Sequence, residues 1–304
     1  MKRIVIIGIL ISILVSSGFT ASKNKGETGL SFLKIGVDAR AIGMGEAYTA
    51  VSEDASAVYW NPAGLAAAKH SNVLFNHNEW ILDIRGEFAA LSLVRKNSAW
   101  GFHLRSFSIG DIQVRADVPT TDPLETTSAH YLSAGISYAR RMSDNLNAGV
   151  TVKYLFEKIY VESATGFAAD LGLTYRTPFQ NLKVGAVLQN LGKMGKFQNE
   201  ATTLPVIARL GFLYNLPLKT ESVSALLASD VVKPSSENVR FHLGSEVLIW
   251  NQIALRGGYL IGYEARNFTL GLGFVRSAIR LDYGITPFWD DLGTTHRFSV
   301  NFIL

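Results

Sequence analysis

Apolar residues alternate with polar or small ones over most of the chain beyond position 71. In 146–156, Leu146, Ala148, Val150, Val152, Tyr154 and Phe156 are apolar, whereas Asn147, Gly149, Thr151 and Lys153 between them are polar or small. The same period of two runs through 167–175, 206–214, 268–274, 279–285 and 298–304. Successive side chains of a strand point to opposite faces, so this period predicts half-buried β-strands. Read along the chain it predicts about fourteen: 72–78, 86–94, 98–106, 128–139, 145–157, 165–176, 180–190, 206–215, 222–231, 239–249, 252–262, 266–275, 278–286 and 295–303. Many have about 9 to 11 residues, enough to cross a bilayer when tilted. No later apolar run approaches about 18 residues, so no membrane-spanning helix is expected.

An even strand count, with short turns at one end and longer loops at the other, suits an outer-membrane barrel. Links at 96–97, 178–179, 250–251 and 276–277 are short, and those after strands 3, 5, 7, 9 and 13 are expected to be longer, notably 107–127 and 191–205. The links 216–221 and 263–265 depart from that rule. Pro62 lies in the N-terminal stretch, and Pro119, Pro123, Pro178, Pro205, Pro217, Pro234 and Pro287 fall in expected turns. A proline inside a closed sheet would delete a ladder hydrogen bond, so this placement is consistent. Trp100, Tyr138, Tyr175, Phe212, Tyr214, Trp250, Phe274 and Phe302 sit near the periplasmic strand ends, as an interfacial aromatic girdle would. The competing architecture, a soluble sandwich or barrel, would put Lys and Glu on its outer face. Here the second face carries Gly, Ser, Thr and isolated Arg instead.

Two stretches escape the period of two. Residues 1–21 have Lys2 and Arg3, an apolar run over 4–15 and small residues over 16–22, the layout of a Sec signal peptide. Residues 32–65 crowd small residues (Ala39, Ala41, Gly43, Gly45, Ala47, Ala50) around Lys34, Asp38, Arg40, Glu46, Glu53 and Asp54. Such a stretch suits a tight, irregular place where backbones approach closely. The expected organisation is a leader over 1–21, an inner segment over 22–71 and a barrel over 72–304.

Composition sharpens this. Hydrophobic residues make up 48% and charged ones 18% of 304 residues, and the net charge is +4 with no basic run beyond the leader. Nucleic acid is therefore not an expected partner. The chain has no cysteine, which excludes disulfides, thiolate metal sites and a lipoprotein anchor. If the apolar face meets lipid, the other face lines the lumen with His103, Arg105, Lys153, Asp170, Arg176, Lys183, Arg209, Arg240, His242, Glu246, Arg256, Arg280, Asp282 and Arg297. Charges removed from water need partners. Glu46, Glu53 and Asp54 are thus expected either to dock the inner segment onto arginines, with Arg105, Arg176, Arg209, Arg256 and Arg280 as candidates, or to remain solvated charges in a wet pore.

Signals for catalysis or a cofactor are weak. In Gly43-Met44-Gly45 the third glycine of a dinucleotide loop is replaced by Tyr48, and no strand precedes it. The six histidines show no HExxH spacing. Asp290 and Asp291 with His296 form the one tempting cluster, and no GxSxG accompanies it. No enzyme activity, metal or cofactor is expected.

The segments RAIGMGEAYTAV (40–51) and DASAVYWNPAGL (54–65) closely resemble the N-terminal signature of the PorV/PorQ family of outer-membrane proteins. More distantly they resemble FadL long-chain fatty-acid transporters, which share the Asp-Ala-Ser and Asn-Pro-Ala-Gly elements. Arg40, Gly43, Met44, Gly45, Asp54, Asn61, Pro62 and Gly64 carry the match. The resemblance implies a hatch over about 30–70 that plugs a fourteen-stranded barrel from the periplasmic side. PorV relatives serve type IX secretion and bind C-terminal signals of secreted cargo, whereas FadL relatives pass hydrophobic molecules inward. Glu46 departs from the family, which more often has glycine there, because glutamate does not easily take a left-handed backbone. The expectation is a non-enzymatic barrel in the bacterial outer membrane, acting in export or surface presentation of proteins. A FadL-like passive transporter and a purely structural barrel are the alternatives. Outer-membrane lipid and either secreted cargo or a hydrophobic small molecule are the expected partners.

Overall fold

The computed structural model describes residues 28–115, 121–197 and 200–304, so the expected leader and Pro119 lie outside the described residues. Fourteen antiparallel strands form the wall: Asn72–Glu79 (β1), Arg85–Val94 (β2), Ser98–Val114 (β3), Glu125–Arg141 (β4), Leu146–Ile159 (β5), Glu162–Arg176 (β6), Leu182–Met194 (β7), Ile207–Asn215 (β8), Val223–Pro234 (β9), Arg240–Ile249 (β10), Ile253–Ile261 (β11), Phe268–Arg276 (β12), Ile279–Pro287 (β13) and Thr294–Ile303 (β14). Each pairs with its sequence neighbour, and β1 closes the barrel against β14 through pairs such as Phe75 with Val300. Closure leaves no edge strand with unpaired backbone groups, which a bilayer would penalise.

The period of two sorts the faces as a membrane requires. In β12, Leu270, Leu272 and Phe274 are exposed on the outside, while Gly271 and Gly273 between them, and Thr269 before them, are buried in the lumen. In β5, Val150, Val152 and Tyr154 face out and Thr151 and Lys153 face in. The apolar face is therefore the outer one, the reverse of a soluble barrel. The eight girdle aromatics are all exposed or half-exposed.

Two expectations about loops are corrected. Strands β3 and β4 run on to Val114 and back from Glu125, over much of the expected loop, with a register shift between Ile109 and Ile112. Strands β5 and β6 meet in a tight turn at 160–161 instead of a longer outer loop. Beyond the bilayer no lipid demands apolar residues, so a strand can continue without the alternation that betrays it. Pro234 and Pro287 are the last residues of β9 and β13 rather than loop residues, a position where a missing N–H costs little.

Inside the barrel lies the irregular segment. It holds a 3-10 turn at Ser31–Lys34, short helices at Ala39–Gly43 (α1) and Ala57–Trp60 (α2), and a 3-10 stretch at Pro62–Ala67. Helix α1 packs against β12 and β13, and the Pro62–Ala67 stretch packs against β4, β5 and β6. Trp60, Tyr48, Ile42, Met44 and Leu65 are the largest apolar side chains fully buried there. The core of this protein is thus the packing of its N-terminal segment within its own wall.

Candidate functional site

The inner segment traverses the lumen from one end to the other. At the end carrying the longer loops, Gly29 N donates to Thr203 O at 3.1 Å, and Lys34 Nζ sits 2.8 Å from Glu237. At the short-turn end, Ala55 N donates to Asn72 Oδ1 at 2.7 Å and the chain turns into β1. Short turns face the periplasm in outer-membrane barrels, so the segment descends from the outer rim to the periplasmic mouth.

Local sequence explains the fit. Asn61, extended at φ −166°, caps the following 3-10 stretch: its Oδ1 accepts from Ala63 N at 3.2 Å, and Pro62 occupies the first position. Its amide donates to Thr49 O at 3.0 Å and to Leu173 O of β6 at 3.1 Å, tying segment to segment and segment to wall. The wall answers with glycines where backbone meets backbone. A Cβ on Gly43 would stand 2.8 Å from Gly271 Cα, and one on Gly258 would collide with Gly45. Gly45 and Glu46 both take left-handed backbone, φ 62° and 60°. The unfavourable glutamate conformation is therefore adopted after all, held by Glu46 N donating to Ala41 O at 2.9 Å and by Arg266 Nη1, 3.0 Å from Oε1.

Charge pairs join the segment to the wall, with partners that differ in part from the expected ones. Asp54 lies 2.7 Å from Arg280. Glu53 meets Lys183 at 2.6 Å rather than an arginine, and Glu46 meets Arg266 of the outer loop between β11 and β12. Arg256 binds the wall acids Glu246 and Asp282 at 2.6 and 2.7 Å. Those acids in turn hold Arg40 and Arg280, so alternating charges run Arg40, Glu246, Arg256, Asp282, Arg280, Asp54 from segment to wall and back. Arg105 donates to Ile35 O at 2.6 Å and stacks on Tyr59 and Phe32, and Arg209 bonds Gln189 beside Trp60. Neither meets a segment carboxylate. Arg176 lines the periplasmic mouth near Glu53 without an ion pair.

Two anchors escaped sequence reasoning. In the sequence Arg40 stands out only as part of a motif, yet its guanidinium grips Glu246 with Nε 2.7 Å from the carboxylate. Asp230 of β9 accepts from Tyr48 N, Thr49 N and Thr49 Oγ1 at 3.2, 3.1 and 2.6 Å, a carboxylate replacing a strand partner for two backbone amides. The available signal for Asp230 was an acid within the apolar run of 223–234.

Asp290 and Asp291 occupy an exposed turn, and the His296 ring bonds Tyr283 Oη at 2.7 Å. Among the described residues no three His, Asp or Glu side chains group as metal ligands.

Fold and site together define an outer-membrane β-barrel whose lumen is occupied by its own N-terminal segment. The chain belongs to the PorV family: the family model for type IX secretion system protein PorV matches residues 19–211. No curated protein sequence matches the chain. Among solved structures it is similar to the CymD monoaromatic hydrocarbon channel, at 13% identity over 91% of this chain and 99% of that one, with a TM-score of 0.61. The Pseudomonas putida toluene transporter TodX is similar at 13% identity over 88% and 96%, TM-score 0.59, and a Pseudomonas aeruginosa FadL homologue at 11% over 88% and 99%, TM-score 0.58. At such identity the likeness establishes the barrel fold alone.

Proposed function

We propose that this barrel is a non-enzymatic component of protein export to the cell surface, in which the inner segment acts as a plug that keeps the lumen closed. The observation that carries this reading is the seating of the plug. It is bonded to β6, β9, β10, β12, β13 and β14, on opposite sides of the lumen, through Asn61, Thr49, Arg40, Gly45, Asp54 and Ala39. A lumen packed this way, and lined by arginine, does not favour passage of an apolar molecule. PorV membership supports the export role. Docking of the plug through Asp54, Glu53 and Glu46 is part of the same proposal.

Affinity purification from outer membranes tests it. Recovery of secreted proteins that share a C-terminal domain is the expected result. Recovery of fatty acid or another hydrophobic molecule in place of such proteins would favour the transporter that the fold neighbours suggest, and would overturn the export reading.

A further inference from the structure

The periplasmic mouth carries charge that the plug does not use. Two cavities open there, about 900 and about 820 Å³, and they share Glu53, Lys69, His70 and Arg176. Around the second stand Arg95, Lys96 and Arg141. Lys69, Arg95, Lys96, Arg141 and Arg176 are all exposed, and among the described residues none has a carboxylate within ion-pair distance. The acid on the shared floor, Glu53, is already held by Lys183 at 2.6 Å. The opposite end of the barrel has the other sign at its tips, with Asp83, Asp111, Asp290 and Asp291 exposed. Five exposed cations thus ring the periplasmic mouth, while Arg85, Arg115, Lys158 and Lys193 are exposed towards the acid-bearing outer end.

The surfaces between these cations are apolar. Phe179, 74% exposed at the tip of the β6–β7 turn, lines the first cavity, and Leu304, 66% exposed, lines the second along with Ala66, Ala67 and Ala68 of the plug. Cavities of this size accept a peptide segment; the lining acids Glu53, Asp54 and Glu246 are each held by a cation, and the excess positive charge left over attracts ligands of opposite sign.

We propose that the periplasmic mouth is a docking site for an acidic segment of a periplasmic protein, one that interleaves Asp or Glu with apolar side chains. A peptide fits better than lipid headgroups because Glu53, Lys69 and His70 of the floor shared by both cavities belong to the plug, and Arg176 stands on the inward-facing side of β6 with Asp170 and Thr174. The occupant would rest on the plug beside the Glu53–Lys183 and Asp54–Arg280 pairs. This inference depends on the orientation of the barrel and not on the export reading.

The test uses the full mature chain in neutral detergent or in zwitterionic nanodiscs, with a fluorescent peptide of alternating Glu and Leu and its Gln analogue. Anisotropy is expected to show binding of the Glu peptide about ten-fold tighter than the Gln peptide, weakening as salt rises. The double variant Lys69→Glu/Arg176→Glu should lose about ten-fold, and Asp290→Lys at the other end should lose nothing. Heat-modifiable migration on gels identifies folded barrel, and Arg95→Gln/Lys96→Gln, confined to an exposed turn, supplies a second set of charges to remove. Equal binding of the two peptides, or binding unaffected by both double variants, overturns the proposal. Complete displacement of the Glu peptide by vesicles of phosphatidylglycerol at low lipid also overturns it, by assigning the mouth to anionic lipid.

Discussion

Glu46 Oε1 lies 3.0 Å from Arg266 Nη1, so a residue in strained left-handed backbone on the plug is clamped by a loop 220 positions further along the chain. Both side chains are buried, and Arg266 also stacks on Trp80 and Tyr263. Left-handed backbone costs a glutamate about 1–2 kcal/mol, whereas unpairing a buried arginine costs about 3–5 kcal/mol. Glu46→Gly, which relieves the strain and removes the charge, should therefore still loosen the plug by about 2–3 kcal/mol. Limited proteolysis of the plug in folded barrel reads this, and unchanged protection would show that the ion pair contributes nothing.

The two plug pairs at the periplasmic mouth should differ in weight. Asp54 is buried against Arg280, so Asp54→Ala is expected to cost about 3–5 kcal/mol of plug docking. The Glu53 side chain is 37% exposed, and Glu53→Ala should cost no more than about 1 kcal/mol. Protease half-lives of the two variants, compared in one detergent, check the order.

Plug docking should depend on pH from both sides. Burial pushes the Asp38 carboxyl from its ordinary 3.8 up to about 7, Arg280 opposing and Asp54 and Asp282 adding to the rise. The docked plug then prefers protonated Asp38, and docking weakens as pH climbs from about 4 through about 7. Burial also raises Glu46, but Arg266, His242, Arg209 and Arg297 outweigh it and hold the carboxyl at about 2. The Glu46 contribution is present above its ordinary 4.5 and is lost as pH falls through about 2. Amide exchange in the plug should be slowest near pH 4 to 5 after correction for intrinsic rates. In Asp38→Asn, a neutral isostere, the loss of protection above that range should flatten.

Removing the Asp230 carboxylate should free one stretch of plug without opening the wall. Asp230→Ala strips the acceptor from two backbone amides and the Thr49 hydroxyl, each buried loss costing about 1–3 kcal/mol. Cleavage should appear within 44–52 while the barrel keeps its heat-modifiable migration.

Space alone should unseat the plug at Gly258. A side chain there would overlap Gly45, while the outward face of β11 and its ladder pairs stay as they are. Gly258→Val is expected to raise single-channel conductance in planar bilayers above that of the unaltered protein. Equal conductance would mean the lumen is sealed elsewhere.

Much of this fold is legible in the chain because a membrane barrel imposes a local rule. Lipid outside and a polar lumen inside force every second residue of a crossing strand, such as Leu270, Leu272 and Phe274, to be apolar. Strand number and crossing regions follow from that repeat. Where the rule lapses beyond the bilayer, as at 109–114 and 160–164, alternation no longer marks where a strand ends, for the same reason. The plug was visible as the stretch that obeys no period and crowds small residues around charges.

Which charges meet was not legible. Arg40 faces Glu246, Glu46 faces Arg266 and Tyr48 faces Asp230 because strand register and barrel closure bring distant strands around one short segment. Sequence by itself determined that the chain alternates into a closed wall and that residues 32–65 belong to something else. Only the tertiary structure decided where that segment sits and which partner each buried charge takes. Alternation is set residue by residue by the solvent on each face, whereas a buried ion pair depends on geometry summed over the whole circumference.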